Sequence, residues 1–403
     1  MADESLELFV GGKPFVAWHS YSFNSDFLTP TDAFSLECSE SSLTPEERRI
    51  LLPGAKCELK VAGVPQMTGY IDKITIKGSR SGGGTISVSG RDTFGHVVDS
   101  NMDPREKFKE NMNLEEIVRE VFEPFGFDFF FDENSDDRSA KQALRVKTSK
   151  KGKPIKSKTM AAQLRPHEGE GCFAFVQRLA NRFGLWVWPT SDGLGVVVGT
   201  PDFDQYPSGV IRRSRTDQKS NVLDGGEVTY DLTSQPSFIV AEGFGGGAEW
   251  GKSKLRVVMM NPFVEFQDDI EAILARFRPY TLAYYISQNE GAASAAIVLG
   301  NIKNPRPRPM FLHDAESRSI EELSRFARRE MSLRTRKFLT AKYTIAGHMV
   351  DGVVPIVDSV WQIEDALGDL SEPMWLKGRT LKRARPGGTT TDLEFIRLNT
   401  LEF

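Results

Sequence analysis

The chain has 403 residues, 39% of them hydrophobic and 26% charged, which is typical of a soluble globular protein with about two to four domains. Its formal net charge of −4 argues against a protein whose whole surface binds nucleic acid. Three cysteines without CxxC spacing, Cys38, Cys57 and Cys172, indicate neither a disulfide framework nor a zinc site.

No run of the sequence approaches the roughly 18 apolar residues that a membrane-spanning helix needs. The start of the chain, MADESLELFV, also lacks the basic residues and apolar core of a signal peptide. We therefore expect a protein that is made in the cytoplasm, at first stays there, and is not stably inserted in a membrane.

The first hundred residues alternate between apolar and polar side chains, as half-buried strands do. Residues 6–37 contain two or three such runs, and three more lie at Cys57–Val61, Tyr70–Ile76 and Thr85–Ser89. Glycine-rich stretches separate these runs, and short turns of this kind join antiparallel neighbours. The pattern predicts a first β domain over residues 5–100.

The hydrophobic period changes after residue 100. Asn113 and Glu116 have the spacing of a capping box, which predicts the start of an amphipathic helix. A second helix is predicted at Cys172–Phe183, followed by a hairpin. Between the helices, the basic run Lys141–Lys158 is predicted to be an exposed loop that the fold does not require. Residues 101–204 are thus expected to form an α+β domain.

The β pattern resumes after residue 204 and is interrupted again near residue 255. A helical stripe at Phe266–Phe277 and a helix that begins with the capping box at Ser319 lie in the interruption. We therefore predict a second, split β domain over residues 205–254 and 335–403. Residues 255–334 would be an insertion with a connecting helix.

The final strands resemble the first ones. A shift of 304 residues places Gly84-Thr85 on Gly388-Thr389 and Tyr70-Ile71 on Met374-Trp375. Any hairpin with a glycine turn shares some of these features, but several strand positions agree at one shift. We interpret the agreement as one β module that is present twice in the chain.

Few residues stand in patterns that carry chemistry. The five histidines lack the HExxH spacing of zinc hydrolases, and a GxSxG motif is missing. The glycines of Gly243–Gly251 precede no convincing helix that could hold a phosphate, so a hairpin turn or a flexible loop is the better interpretation. The cluster His167-Glu168-Gly169-Glu170 could hold a metal, although an exposed loop is the commoner origin of such a cluster. We therefore expect no catalytic residues, no cofactor and no metal site.

Several segments resemble the baseplate hub proteins of Mu-like contractile phage tails, the late control D or tail hub family. The N-terminal ones are FVAWHSYSFNSDF, LLPGAKCELKVAGVPQMTGYIDKITI and VSGRDTFGHVVD. The later ones, in the family's order, are NLEEIVREVFEPFGF, CFAFVQRLANRFGLWVWPTSDGLGVVV and GGTTTDLEFIR. The resemblance covers nearly the whole chain, and the family is related to the N-terminal part of type VI secretion spike proteins.

This resemblance implies an α+β, mainly β, fold with two similar antiparallel β-barrel-like tube domains and inserted α+β domains. It also implies a homotrimeric, pseudo-sixfold hub in the virion tail baseplate, which joins the tail tube to the central spike and meets other baseplate proteins. Such a hub would be assembled in the host cytoplasm. DNA would pass through its channel. The alternatives are the hub of a tailocin or type VI-like injection machine and, from another class, a tail-associated peptidoglycan hydrolase.

The expected contact surfaces are the strands Tyr70–Ile76 and Met374–Leu381, because unpaired strand edges in a monomer would be prone to aggregate. The candidate interface residues on these strands are Tyr70, Ile71, Asp72, Trp375 and Lys377.

Overall fold

The computed structural model describes residues 5–79, 83–106, 108, 112–131, 165–215, 220–223, 225–243, 255–261, 308–314, 317, 319–384, 387–398 and 400. The predicted loop Lys141–Lys158 and the predicted stripe Phe266–Phe277 lie outside these residues. Within them the chain forms nineteen strands and five α-helices. The fold is therefore mainly β, as predicted, and most of its strand pairs are antiparallel, with one parallel pair in each of the three sheets.

The first group of strands covers residues 6–92. It contains β1 (Leu6–Val10), β2 (Lys13–Phe15), β3 (Ser20–Asp26), β4 (Ala33–Ser39), β5 (Lys56–Val61), β6 (Val64–Ser79) and β7 (Gly83–Asp92). The short helices α1 (Pro45–Ile50) and α2 (Gly95–Asp99) accompany them. Antiparallel pairing gives the order β3-β4-β7-β6-β5-β1-β2. Because apolar residues alternate along these strands, one face forms a core in which Phe23, Leu36 and Val88 are fully buried.

The last strands of the chain have the same arrangement. They are β16 (Leu339–Ala346), β17 (Ser359–Asp365), β18 (Leu370–Ala384) and β19 (Gly388–Arg397). Their order, β16-β19-β18-β17, corresponds to β4-β7-β6-β5. We call β3 to β7 the first repeat and β16 to β19 the second repeat.

The two repeats agree residue by residue in their long hairpins. Each of the ten partner pairs that join β6 to β7 has a counterpart in β18 and β19 that lies 305 residues later. The correspondence includes a one-residue bulge, which falls at Asp72 in the first repeat and at Lys377 in the second. The shift of 304 residues read from the sequence is therefore one residue too small.

Both repeats lie in one continuous sheet of thirteen strands. β3 pairs with β18, and Tyr21–Asp26 lies antiparallel to Gly378–Arg383. We call this pairing the intrachain seam. β12 (Glu227–Tyr230) lies beyond β16 at one end of the sheet, and β11 (Val210–Arg213) pairs with β17 in parallel.

Residues between the repeats form two helices and a small sheet. The helices are α3 (Leu114–Phe122) and α4 (Cys172–Asn181), and the sheet has the order β8 (Asp128–Phe131), β10 (Gly195–Gly199), β9 (Trp186–Pro189). The predicted capping box of α3 is confirmed, because the Asn113 side chain accepts the Glu116 N–H at 2.8 Å and the Glu116 carboxylate accepts the Asn113 N–H. Phe94 packs between the two helices, with ring centroids 5.7 Å from Phe122 and 5.6 Å from Phe173.

Contacts divide the chain into two compact units. The first comprises Met1–Ala180, Trp186–Val228 and Thr340–Leu398, and it holds both repeats and the small sheet. The second comprises Asn181–Leu185, Thr229–Leu339 and Asn399–Phe403.

The second unit contains its own sheet, in which β13 (Phe238–Gly243) lies between β14 (Arg256–Met260) and β15 (Pro309–Asp314). The helix α5 (Ile320–Thr335) begins at Ser319, whose hydroxyl accepts the Glu322 N–H at 3.2 Å. It packs Leu323 and Ala327 into a core with Ile239. β13 thus pairs within this unit, whereas the predicted boundary at residue 254 assigns it to the second β domain. Alternation marks a strand but does not say which sheet the strand joins.

Among the described helices, none is long and apolar enough to cross a membrane.

Candidate functional site

One face of the continuous sheet is polar across both repeats. Residues opposite each other in paired strands point to the same side of the sheet, so the strand register shows which side chains form this face. One row across the intrachain seam consists of Ser89, Ser35, Ser22, Lys382 and Thr390. The next row consists of Arg91, Ala33, Asn24, Thr380 and Asp392. The polar face is therefore lined by small hydroxyl groups with interspersed charges.

Most of the charges near the intrachain seam neutralise one another. Lys377, at the bulge of β18, lies 3.0 Å from both Asp26 and Glu394, and Lys382 forms an ion pair with Asp392. Burial opposes the charge of Lys377, but the attraction of Asp26 and the hydrogen bond with Glu394 keep its pKa above the ordinary value. The seam thus carries an ion-pair network that joins a strand of the first repeat to two strands of the second.

The first repeat has a separate network. Arg91 donates to Asp99 at 2.5 Å and to Asp72 at 2.8 Å. These hydrogen bonds raise the pKa of Arg91. Asp72, the bulge residue of β6, is thereby held within its own repeat.

The predicted site residues divide into core and surface positions. Ile71 and Trp375 are buried, with exposures of 1% and 0%, and the Trp375 indole donates to Asp358 at 2.9 Å. Their role in packing is therefore evident, and they lie beneath any contact surface. Tyr70 and Lys377 are half-buried and Asp72 is exposed, so a contact role for these three stays a prediction.

The expectation of two open strand edges needs a correction. Met374–Leu381 is paired on both sides, because β17 and then β3 cover the edge of β18 that faces away from β19. In β6, the pairing with β5 ends at Tyr70. Among the described residues, nothing pairs with the outer edge of Lys73–Gly78. Of the predicted edge Tyr70–Ile76, only the part from Lys73 onward thus lacks a partner among the described residues. The covered edge of β18 was not predicted, because the pairing between Tyr21–Asp26 and Gly378–Arg383 leaves no mark on the local pattern.

A cavity of about 270 Å³ lies where the intrachain seam meets the small sheet, and its lining includes Asp32, Trp188, Asp358 and Arg379. Burial raises the pKa of Asp32 to about 6 and that of Asp358 to about 7. Burial also lowers the pKa of Arg379 to about 10, although the negative charge of Asp32 opposes this shift. The cavity therefore contains titratable groups that the sequence did not reveal.

Asp92 is the third carboxyl group with a raised pKa. Burial, followed by the charge of Asp32, raises its pKa to about 8. Its two oxygens accept the backbone N–H groups of Asp32, at 2.9 Å, and Gly95, at 3.2 Å. This carboxyl group fixes the end of β7 against two loops, which favours a structural role over acid–base catalysis.

Metal binding finds no support in the described part of the chain, where no group of three or more histidine, cysteine or acidic side chains could hold an ion. His167 uses its backbone N–H to bind the Glu170 carboxylate, which also pairs with Arg178. The His167 cluster is thus a loop held by hydrogen bonds.

The first β domain matches a known family. Residues 5–92 fit the model of the N-terminal domain of GpP-like Mu phage baseplate assembly proteins. This confirms the resemblance to baseplate proteins of Mu-like phages for that domain. A search of curated protein sequences finds no match to the chain.

Solved structures extend the similarity in fold to nearly the whole chain. A tail protein from Neisseria meningitidis MC58 is 21% identical with a TM-score of 0.69, and the match covers 98% of this chain and 97% of that one. The 43 kDa tail protein of prophage MuSo2 from Shewanella oneidensis is 17% identical with a TM-score of 0.68, and the match covers 99% of this chain and 100% of that one. An E. coli type VI secretion component, described as similar to T4 tail proteins gp27 and gp5, is 10% identical with a TM-score of 0.50. That match covers 98% of this chain and 78% of the E. coli protein.

Proposed function

We propose that this chain, whose residues 5–92 match the model of the N-terminal domain of GpP-like Mu phage baseplate assembly proteins, is the hub of a contractile phage tail. In this proposal a homotrimer joins the tail tube to the central spike in the virion baseplate. The observation that supports it best is the presence of two matching repeats in one continuous sheet.

Symmetry connects that observation to the proposed role. Three chains with two repeats each present six similar β units around one axis, while the rest of each chain occurs only three times. Such a ring can meet a sixfold tube on one side and a threefold spike on the other. A single gene product thereby resolves the mismatch between the two symmetries.

The polar face of the sheet suits the lining of a channel for DNA. A protein that neutralises many phosphates with lysine and arginine gains affinity that would slow the passage of DNA. Here Lys377 and Lys382 are held in ion pairs, and the neighbouring positions carry serine and threonine. We therefore place this face toward the channel.

A tailocin or type VI-like machine is the runner-up, since the E. coli type VI secretion component has a related fold. These machines would use the same trimer without passing a genome. Purified particles that contain this protein but no DNA would favour the runner-up over a phage.

We infer that the protein is not an enzyme. The alternative, a tail-associated peptidoglycan hydrolase, would need a pair of carboxyl groups with separated pKa values. Asp32 and Asp92 are candidates for such a pair, but Asp92 is occupied by backbone donors. We expect no clearing in a peptidoglycan zymogram. Clearing that disappears in Asp92→Asn, a variant that retains the fold, would favour the hydrolase.

The test of the hub is the oligomeric state. Light scattering on the purified protein, alone and with the spike protein from the same genome, should give three times the chain mass of 45.0 kDa in at least one case. Tails made without this protein should lack an attached spike. A monomer under both conditions, together with normal tails in its absence, would refute the hub.

A further inference from the structure

The cavity where the intrachain seam meets the small sheet plays no part in the proposed hub. Its volume of about 270 Å³ is many times the roughly 30 Å³ that one water molecule takes up. Thr29 and Ser191 belong to its lining and are exposed, so the cavity opens to solvent. All of the lining residues belong to the first compact unit. The cavity is therefore large and accessible enough to hold a small ligand.

One wall of the cavity is aromatic. Trp188 and Val197 are partners in the small sheet, so their side chains point to the same side of it, and both line the cavity. Phe27, which follows β3, packs on Trp188 with a distance of 5.0 Å between the ring centroids. Aromatic ring faces attract cations and also pack well on alkyl chains. This wall therefore suits a cation on an apolar stem.

Asp358 supplies an acidic group to the lining. Its Oδ1 accepts the Trp375 indole N–H at 2.9 Å, and its Oδ2 has no hydrogen-bond partner in the described part of the chain. No described lysine or arginine forms an ion pair with this carboxyl group, and the charge of the nearby Asp202 is also negative. Burial, followed by the charge of Asp202, raises the pKa of Asp358 to about 7. Asp358 thus lacks the cation that a buried carboxylate needs.

The other charged groups that line the cavity are already balanced. Asp32 and Arg379 attract each other, and Asp26 forms an ion pair with Lys377. The small sheet contributes only uncharged residues to the lining. Among the described residues around the cavity, Asp358 is therefore the carboxyl group without a counterion.

We propose that the cavity binds a primary ammonium group, whose charge pairs with the Asp358 carboxylate and whose alkyl stem packs on Trp188 and Phe27. A guanidinium group fits less well, because it prefers both oxygens of a carboxylate and Oδ1 is already bound by Trp375. The ammonium group belongs either to a free alkylamine or to the lysine side chain of a partner protein. The site is complete within one chain and does not depend on the proposed trimer.

The first test uses n-butylamine as the probe. Saturation-transfer NMR on the full chain at pH 8 should detect its binding, with a dissociation constant on the order of 1 mM for so small a ligand. n-Butanol has a similar shape without the charge and should bind at least about tenfold more weakly. Equal binding of the two compounds would overturn the proposal.

The binding should weaken as the pH falls. n-Butylamine stays protonated below pH 8, whereas Asp358 gains a proton below about pH 7. Between pH 8 and pH 5, the dissociation constant should therefore rise at least about tenfold. Protonation of Asp32, whose pKa is about 6, acts in the same direction, so a variant must assign the effect. Binding that is equal or stronger at pH 5 would contradict the ammonium–carboxylate pair.

Asp358→Asn removes the charge and keeps the acceptor for the Trp375 N–H. At pH 8 it should raise the dissociation constant of n-butylamine at least about tenfold. Asp369→Asn is the matched control, because Asp369 is an exposed aspartate of the same repeat that also has a positive φ, of 51°, and is not part of the lining. It should bind the probe as the wild type does. An unchanged dissociation constant in Asp358→Asn would refute the site.

Trp188→Leu tests the aromatic wall. Leucine can still pack on Phe27 but offers no ring face, so the dissociation constant should rise about three- to tenfold. The pH dependence should persist, because Asp358 is intact. Binding as tight as in the wild type would contradict the contact with Trp188.

A peptide distinguishes the two sources of the ammonium group. The probe is a short glycine peptide with a blocked N-terminus and a single lysine. If it binds at least as tightly as n-butylamine and loses affinity in Asp358→Asn, the cavity receives a lysine of a partner protein. If only n-butylamine binds, the cavity receives a free amine. If neither probe binds at pH 8, the inference is wrong and the proposed hub is unaffected.

Discussion

The two repeats share a backbone arrangement but few side chains. Their hairpins have the same register and the same bulge, yet the bulge residue is Asp72 in one and Lys377 in the other. Trp375 is fully buried, whereas its equivalent Tyr70 is half-buried. Strand pairing and turn geometry thus define the module, and the side chains adapt each copy to its neighbours. Three predictions test this division, from the largest expected effect to the smallest.

The largest difference is expected between the equivalent aromatic residues. Trp375→Ala should lower the free energy of unfolding by about 3–5 kcal/mol, because it leaves a large cavity and removes the indole donor to Asp358. Tyr70→Ala should cost about 1–2 kcal/mol, because this ring is only half-buried. Urea unfolding measures both. Equal losses would mean that the two repeats have equally deep cores.

The second prediction concerns pH and a turn that both repeats use. Gly54 and Asp358 have positive φ values of 84° and 69°, and their N–H groups bind the equivalent carbonyls of Ile71 and Leu376. Burial raises the pKa of Asp358 to about 7, so its stabilising contribution is complete below pH 4 and is lost as the pH rises through 7.

Asp358→Asn should therefore be more stable than the wild type at pH 8 by about 1–3 kcal/mol and equal to it at pH 4. Asparagine tolerates positive φ and still accepts the Trp375 N–H. Thermal unfolding at both pH values provides the measurement. The same stabilisation at pH 4 and pH 8 would show that the charge of Asp358 is not its cause.

The smallest effects are expected at the two bulges. Lys377→Ala leaves Asp26 and Glu394 without their shared cation and should cost about 1–2 kcal/mol. Asp72→Ala should cost at most about 1 kcal/mol, because Arg91 keeps Asp99 and the pair is exposed. Lys377→Met, which keeps the aliphatic stem, is the control for packing. A larger loss of stability from Asp72→Ala than from Lys377→Ala would mean that the ion-pair network of Arg91 is the stronger of the two.

Local features of the fold could be predicted from the sequence, whereas long-range ones could not. The helix cap at Asn113 and the alternation of buried and exposed residues in β4 depend only on residues that are close in sequence, so both can be predicted from the local sequence pattern. The repeat was detected with an error of one residue, because Gly83 and not Gly84 is the equivalent of Gly388, with φ of 75° in both. In a run of three glycines, the sequence alone does not indicate which glycine adopts the positive φ value.

The candidate site was harder to predict for the same reason. A strand edge is open or closed according to a partner that is far away in sequence, so the covered β18 and the open part of β6 have similar patterns. The raised pKa values of Asp32 and Asp358 likewise depend on burial by several segments. Such properties emerge only when the chain is folded.

The intrachain seam also determines when the first repeat can be completed during synthesis. Asn24 and Thr380 share a hydrogen bond across 356 residues of chain. At about 5–20 residues per second, a ribosome needs roughly 20–70 s to make the intervening segment. Throughout that time β3 has a free edge that β18 will later occupy. Nascent chains are therefore open to premature association at β3, and termination before residue 378 would make that exposure permanent.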